Sequence, residues 1–242
     1  MDYFDAHNHL QDFGSAADLE TAMRAAAALR VQGMLCCGTS PEDWGEVLEI
    51  ANRYEGVIPC FGLHPWFSAE EGWQGRLEEF LRRVPRACVG EIGLDGVKES
   101  AGQEENFTAQ LELARRFGRP AVIHCVKSWE RLAELLKAAP PRAFLLHGYG
   151  GSPEMIKEFY ALGGYFSFGL ELADPAREKL RAALRAAPAE RLLFETEAPG
   201  GCAGPAGITA VVEAAAAALG LPVEELAKLS LANSQRFTEA AQ

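Results

Sequence analysis

The sequence predicts an α/β fold: a (β/α)8 barrel of the TIM type, spanning residues 1–242 as one domain. Three observations carry that prediction. Eight short apolar runs alternate with helical segments along the chain. The runs lack strict alternation of apolar and polar residues, as do strands buried on both faces of a parallel sheet. The 242 residues suit a single barrel, and no linker or second domain interrupts them. An open doubly wound sheet would normally carry a Gly-x-Gly-x-x-Gly turn after an early strand, and none follows the first strand here.

The elements follow in order. Tyr3 to His7 is the first strand. The Ala-rich stretch from Ala16 to Arg30 has helical composition, and Val31-Gln32-Gly33 breaks it before a strand from Met34 to Gly38. Pro41 opens the next helix, where its missing N–H costs nothing, and that helix runs to about Tyr54. Val57 to Leu63 is the third strand. Helical residues Glu78 to Arg83 lead to the fourth, Ala87 to Ile92. A helix from Gln103 to Phe117 precedes the strand Ala121 to Cys125, and one from Trp129 to Ala138 precedes Ala143 to His147. Pro153 opens a helix ending near Leu162, followed by Tyr165 to Phe168. The helix from Pro175 to Ala186 leads to the last strand, Leu192 to Thr196, and two helical segments close the chain.

Composition excludes some function classes. Hydrophobic residues make up 48% and charged residues 24%, ordinary for a soluble globular protein. No apolar run is long enough to span a bilayer, and no basic segment precedes a hydrophobic stretch at the N-terminus. The expected compartment is the cytoplasm, with no membrane partner and a monomeric state. Six cysteines without Cys-x-x-Cys spacing read as buried, reduced thiols. Lys and Arg total 23 against 34 Asp and Glu, a formal net charge of −11, which disfavours non-specific attraction to a polyanion. A nucleic-acid substrate needs bound cations or a few placed basic residues.

All five histidines lie at or just past the C-terminal end of a predicted strand, where barrels build active sites. His7 and His9 end the first, His64 the third, His124 the fifth and His147 the sixth. In a strand, side chains two apart share a face, so His7 and His9 point at one ion with Asp5 behind them in the same row. Glu91 interrupts an otherwise apolar strand, and a buried carboxylate needs a partner. Glu195 and Glu197 share a face at the end of strand eight, and barrel closure brings Glu197 near the histidine pair. The solvent-facing alternative for these two glutamates is a simple strand-end cap. Imidazoles with carboxylates suit zinc, manganese, iron, cobalt or nickel, with magnesium also open.

Six candidate ligands exceed the need of one tetrahedral ion, so one or two divalent ions are expected. His7, His9 and Glu197 are assigned to one, His124 and His147 to the other, with Glu91 between them. Glu91 and Glu197 are the candidate catalytic carboxylates, Glu197 as general base toward an ion-activated water. Asp95, two residues beyond Glu91, is a candidate for orienting a ligand or facing the substrate.

These residues resemble the TatD family of metal-dependent hydrolases, within the amidohydrolase-like barrel group. Asp5-Ala6-His7-Asn8-His9 is similar to the family's first motif, Gly62-Leu63-His64-Pro65-Trp66 to its second and Gly90-Glu91-Ile92-Gly93-Leu94-Asp95 to its third. Gln103, Phe107, Gln110 and Leu111, then Pro120 to His124, His147 with Gly151-Ser152, Leu192 to Pro199, and finally Asn233 with Phe237 extend the resemblance over nearly the whole chain. It implies a barrel, a one- or two-metal centre and hydrolysis of phosphodiester bonds in DNA, with nucleic acid or a small phosphodiester as substrate. His64 is then a substrate contact or a loop hydrogen-bonder. Lys127 stands near a family arginine and is placed to meet a phosphate oxygen, or is a solvated lysine at a helix start. This chain departs from the family in having Glu197 where aspartate is usual. Small residues from Gly200 to Gly207 replace basic ones, Gly96-Val97 replaces an aromatic pair, and Gly148-Tyr149-Gly150 replaces Cys-Phe-Ser. The competing activities are an amidohydrolase acting on a carbon–nitrogen bond, an aminoacyl-tRNA ester hydrolase and, last, a non-catalytic binding protein. Glu91 occupies the strand where related amidohydrolases often carry a carboxylated lysine, which favours the phosphodiesterase.

Overall fold

The computed structural model describes residues 1–68, 70–98 and 100–239. Eight strands pair in parallel and in chain order: β1 (Tyr3–Asn8), β2 (Val31–Cys37), β3 (Val57–Phe61), β4 (Cys88–Asp95), β5 (Ala121–Val126), β6 (Phe144–Leu146), β7 (Gly164–Phe168) and β8 (Leu192–Phe194). The two edges meet. Glu197 N–H donates to the His7 carbonyl at 3.1 Å, and His9 N–H to the Ala198 carbonyl at 2.8 Å, closing the barrel. Around it stand α1 (Ala16–Ala28), α2 (Trp44–Arg53), α3 (Trp73–Arg83), α4 (Gln103–Phe117), α5 (Trp129–Ala138), α6 (Ile156–Ala161), α7 (Glu178–Ala186), α8 (Ile208–Leu219) and α9 (Val223–Glu239). No single helix among the described residues is long and apolar enough to cross a membrane.

The expected alternation holds, with local differences. Val31 to Gly33 belongs to β2 rather than breaking the chain, because Gly33 packs its bare Cα against the Phe4 ring. Pro41 and Pro175 sit in turns ahead of α2 and α7, which begin at Trp44 and Glu178. β8 stops at Phe194, so Glu195 and Thr196 leave the ladder before the site.

Two apolar layers fill the structure. Phe4, Ala6, Leu35, Cys37, Cys60, Cys88, Val122, Leu145, Tyr165 and Leu193 form an inner cluster drawn from the strands. Phe237 of α9 joins it against Tyr165, with ring centroids 5.2 Å apart. The larger cluster lies between strands and helices and takes in Met34, Cys36, Val89 and Ile92.

Strand parity relative to these layers reveals how the site is aimed. Between β4 and β5, Val89 pairs with Ala121 and Ile92 with Ile123, so β4 holds one extra residue at Gly90–Glu91. Val89 and Ile92 both face the helices although they are three apart. That bulge turns Glu91 inward to the barrel mouth, which plain alternation would not do. Glycine is required beside it: a Cβ on Gly90 would lie 2.7 Å from Val122 Cβ, and one on Gly93 (φ 153°) would strike the His124 carbonyl.

A second bulge lies in β1, where Asp5 pairs with Met34 and Asn8 with Cys36. It corrects the expectation that Asp5 shares a row with His7 and His9. Asp5 lies on the side of Asn8, whose amide Nδ2 donates to Asp5 Oδ2 at 2.8 Å. Asp5 also accepts the Thr196 N–H at 2.9 Å and the Thr196 hydroxyl at 2.6 Å, so it fastens β1 to the chain leaving β8. Burial pushes its carboxyl up to about 7, against these three donors. Asp5→Ala strands all three in the core and is expected to cost about 3 kcal/mol, at about 1–3 kcal/mol for each unsatisfied buried group, read by urea denaturation.

Candidate metal centre

The two bulges and the strand ends bring His7, His9, His64, Glu91, His124, His147 and Glu197 together at the barrel mouth. Glu91 is 2% exposed and lies at the centre. Its Oε2 is 3.4 Å from His7 Nε2 and 3.3 Å from His9 Nε2. Its Oε1 is 2.8 Å from His147 Nε2, 3.0 Å from His124 Nδ1 and 3.1 Å from His64 Nε2. Glu197 approaches from the β8 side, its Oε2 3.3 Å from His7 Nε2 and its Oε1 3.5 Å from His9 Nε2. Among the described residues, three donor groups are compact enough to hold a metal ion: His7 with His9 and Glu91, His7 with His147 and Glu197, and His64 with Glu91 and His124.

Hydrogen-bond partners behind the rings decide which nitrogens offer lone pairs. His9 Nδ1 lies 2.8 Å from the Cys37 carbonyl, which can only accept, so the proton sits there and Nε2 presents a lone pair. His124 Nε2 lies 3.2 Å from Asp95 Oδ2, which frees Nδ1 toward Glu91. His64 is the opposite case. Its Nδ1 accepts the Trp66 N–H at 3.2 Å, so Nε2 carries the proton and donates to Glu91 Oε1. His64 is therefore a hydrogen-bond donor in this arrangement and not a lone-pair ligand, although its distances alone would admit it.

His9 Nε2 also lies 3.1 Å from His7 Nε2. His7 Nε2, His9 Nε2 and Glu91 Oε2 thus surround one point at mutual distances of 3.1–3.4 Å, with Glu197 Oε2 3.3 Å from His7 Nε2 and Glu197 Oε1 3.5 Å from His9 Nε2. Such a group repels itself unless a cation lies among its members. A tetrahedron with metal–ligand bonds of about 2.0–2.1 Å has edges of about 3.3 Å, so the donor set fits a divalent ion. Glu197 Oε2 is buried with no hydrogen-bond partner, another acceptor awaiting a cation. His124 Nδ1 and His147 Nε2 converge on Glu91 Oε1 and define a second position.

The electrostatics agree. Burial alone would raise Glu91, but the His147, His64 and His7 imidazoles hold it well below the usual carboxylate range. Glu197 is likewise lowered to about 2, burial opposing and His7, His9 and His147 prevailing. Burial works against the charged form of His9, yet Glu197 and Glu91 raise it well above its ordinary value. His147 is raised in the same way by Glu91 and Glu195 against its burial. Burial lowers His64 and keeps it neutral. The carboxylates are strongly ionised and draw in positive charge, which a metal supplies in competition with protons.

Asp95 makes its contacts within the protein. Its Oδ2 accepts the Trp66 indole N–H at 2.6 Å besides facing His124, and its Oδ1 accepts Val97 N–H at 2.8 Å and Lys98 N–H at 2.9 Å. Burial opposes but these donors prevail, bringing the carboxyl down to about 2. Asp95 thus stands behind the His124 ring, in contact with its Nε2. Glu195, 3% exposed, accepts from the Ser167 hydroxyl and faces His147 Nδ1 at 3.5 Å rather than capping a strand in solvent. Lys127 follows β5 with φ 52° and an exposed side chain, and among the described residues it makes no ion pair with the cluster. Sequence reasoning missed the supports: the Cys37 carbonyl, the Trp66 indole, and Gln110 of α4. Gln110 grips Leu63 beside His64 through both backbone N–H (2.6 Å) and carbonyl (3.1 Å). Of these, Trp66 and Gln110 stood out in the sequence only as members of the motifs that resemble the family, with no role attached.

The fold and the donor set define a metal-dependent hydrolase of the barrel type. A family model described as TatD related DNase matches residues 4–239. The chain belongs to the TatD-related DNase family. YjjV, a metal-dependent hydrolase of Escherichia coli (strain K12), is 30% identical over 205 residues, covering 81% of this chain and 79% of that one. The 3′-5′ ssDNA/RNA exonuclease TatD of Cronobacter sakazakii is 33% identical over 190 residues, 75% of this chain and 72% of that one. The crystal structure of YjjV, a TatD homologue, superposes with a TM-score of 0.89 at 27% identity, covering 97% of each chain.

Proposed function

We propose that this protein is a phosphodiesterase acting on single-stranded nucleic acid. The observation that supports this most is the sharing of Glu91 between two donor groups, one of His7, His9 and Glu197 and one of His124 and His147. A pair of divalent ions there, of the zinc, manganese, iron, cobalt, nickel or magnesium type, would supply water activation and charge neutralisation for in-line attack at phosphorus. The relatives named as 3′-5′ ssDNA/RNA exonucleases support the same substrate class.

The chain's own residues divide the remaining work. Glu197, whose Oε2 makes no hydrogen bond and faces His7 Nε2 at 3.3 Å, takes the proton of the attacking water. His64 Nε2–H, fixed by the Trp66 N–H behind its ring, donates to Glu91 Oε1 and holds that carboxylate in place. Asp95 keeps His124 in the tautomer that leaves Nδ1 free. Lys127, exposed at the end of β5, meets a flanking phosphate. The test is turnover of a 3′-labelled single-stranded oligodeoxynucleotide by protein stripped of metal and resupplied with manganese or zinc. Metal-dependent release of nucleotides from the 3′ end is expected. Hydrolysis of cyclic amides or aminoacyl-tRNA with no cleavage of phosphodiesters would overturn the proposal.

A further inference from the structure

A cavity of about 530 Å³ opens directly off the metal centre on the β6–β8 side, floored by His147, Glu195 and Glu197. Its volume lies within the range of about 300–1,000 Å³ usual for small-ligand sites. Phe168 and Leu180 form apolar wall, and Leu170, 38% exposed, adds an uncovered apolar surface. At the outer end stand two cations, Arg177 and Lys179.

The charge distribution within the cavity is uneven. Glu195 is engaged by Ser167, and Glu197 by His7 and His9, so the inner carboxylates are committed. At the outer end, Glu178 lies between the two cations in sequence but is paired with Arg185. Among the described residues no carboxylate lies within ion-pair distance of Arg177. Lys179 acts only weakly elsewhere, helping to lower Glu154 after the Ser152 hydroxyl and local backbone. Glu171 is the one uncommitted acid on the wall. In a chain of net charge −11, two cations with no ion-pair partner among the described residues, lining the cavity that reaches the reacting centre, select for an anion.

We propose that Arg177 and Lys179 form a subsite for a second phosphate of the substrate, with Leu170 and Phe168 lying along the intervening sugar or base. The substrate class is then an oligonucleotide whose scissile phosphate sits at the metal centre and whose neighbouring phosphate reaches the two cations. Isolated phosphodiesters lack the second contact. This rests on the phosphodiesterase reading and adds to it the basis for choosing a chain over a single diester.

The test compares wild type with Arg177→Gln/Lys179→Gln on two substrates, a short single-stranded oligodeoxynucleotide and bis(4-nitrophenyl) phosphate. The double variant is expected to lower the ratio of kcat/KM for the oligonucleotide to that for the small diester by about 10–100-fold, mostly through KM. The slope of log(kcat/KM) for the oligonucleotide against log[salt] is expected to flatten by about 0.7 for one lost phosphate contact. Glu171→Gln is expected to shift the ratio the other way. An unchanged ratio and slope in the double variant overturn the subsite while leaving the phosphodiesterase reading intact. Wild-type enzyme that cleaves neither substrate overturns both.

Discussion

Glu91→Gln is expected to lower phosphodiesterase activity by at least about a thousandfold and to abolish tight metal binding. The substitution keeps the shape of the side chain and removes one charge, so the loss is not one of packing. Both carboxylate oxygens face imidazole nitrogens, Oε2 those of His7 and His9 and Oε1 those of His124 and His147, at 2.8–3.4 Å, so one side chain joins the two groups. A carboxamide offers one oxygen and turns two N–H donors toward nitrogens that must accept a cation. Metal-induced stabilisation gives an independent reading. An ion at a hundredfold excess over its Kd adds about 2.7 kcal/mol, or about 5–10 °C in Tm for a chain of this size. Wild-type protein is expected to show that rise on adding manganese, and Glu91→Gln is not.

Glu197→Gln is expected to lower kcat by about 10²–10⁴ with little change in KM, the signature of losing a general base. Glu197 sits at φ 53° just past β8, and its backbone N–H is tied to the His7 carbonyl, so its carboxylate is held over the histidine pair. Its carboxyl is lowered to about 2, so the base is already ionised at any pH above about 3. Lowering pH from 8 to 5 therefore does not protonate Glu197. The acid limb of the wild-type profile then comes from imidazoles such as His9 and His147, which the neighbouring carboxylates raise above their ordinary value, gaining protons in competition with metal. That limb is expected to move to lower pH as metal concentration is raised. A limb fixed with respect to metal would contradict this assignment.

Much of this was legible in the residues because the barrel concentrates its chemistry at strand ends. Apolar runs such as Ala121 to Cys125 mark strands buried on both faces, and a histidine at the end of such a run has few places to face but the mouth. α4 and α5 run from Gln103 to Phe117 and from Trp129 to Ala138, the bounds their sequences indicate. The same property hides the bulges. When both faces of a strand are apolar, one inserted residue leaves no trace in the pattern, so the inward turn of Glu91 and the separation of Asp5 from His7 and His9 cannot be read from spacing. Tautomers were hidden for another reason. The Cys37 carbonyl and the Trp66 N–H are backbone groups, and every residue but proline carries both. They separate His9, a lone-pair donor, from His64, a hydrogen-bond donor, where the sequence shows two similar strand-end histidines. Arg177 and Lys179 belong to none of the motifs in the sequence, and only the cavity reaching to Glu197 distinguishes them.

The central claim is a metal centre organised on Glu91, and anomalous diffraction from crystals grown with manganese tests it most directly. Two anomalous peaks are expected on opposite sides of the Glu91 carboxylate, one among His7, His9 and Glu197 and the other between His124 and His147. Peaks confined to other residues, or none within bonding distance of Glu91, would contradict it.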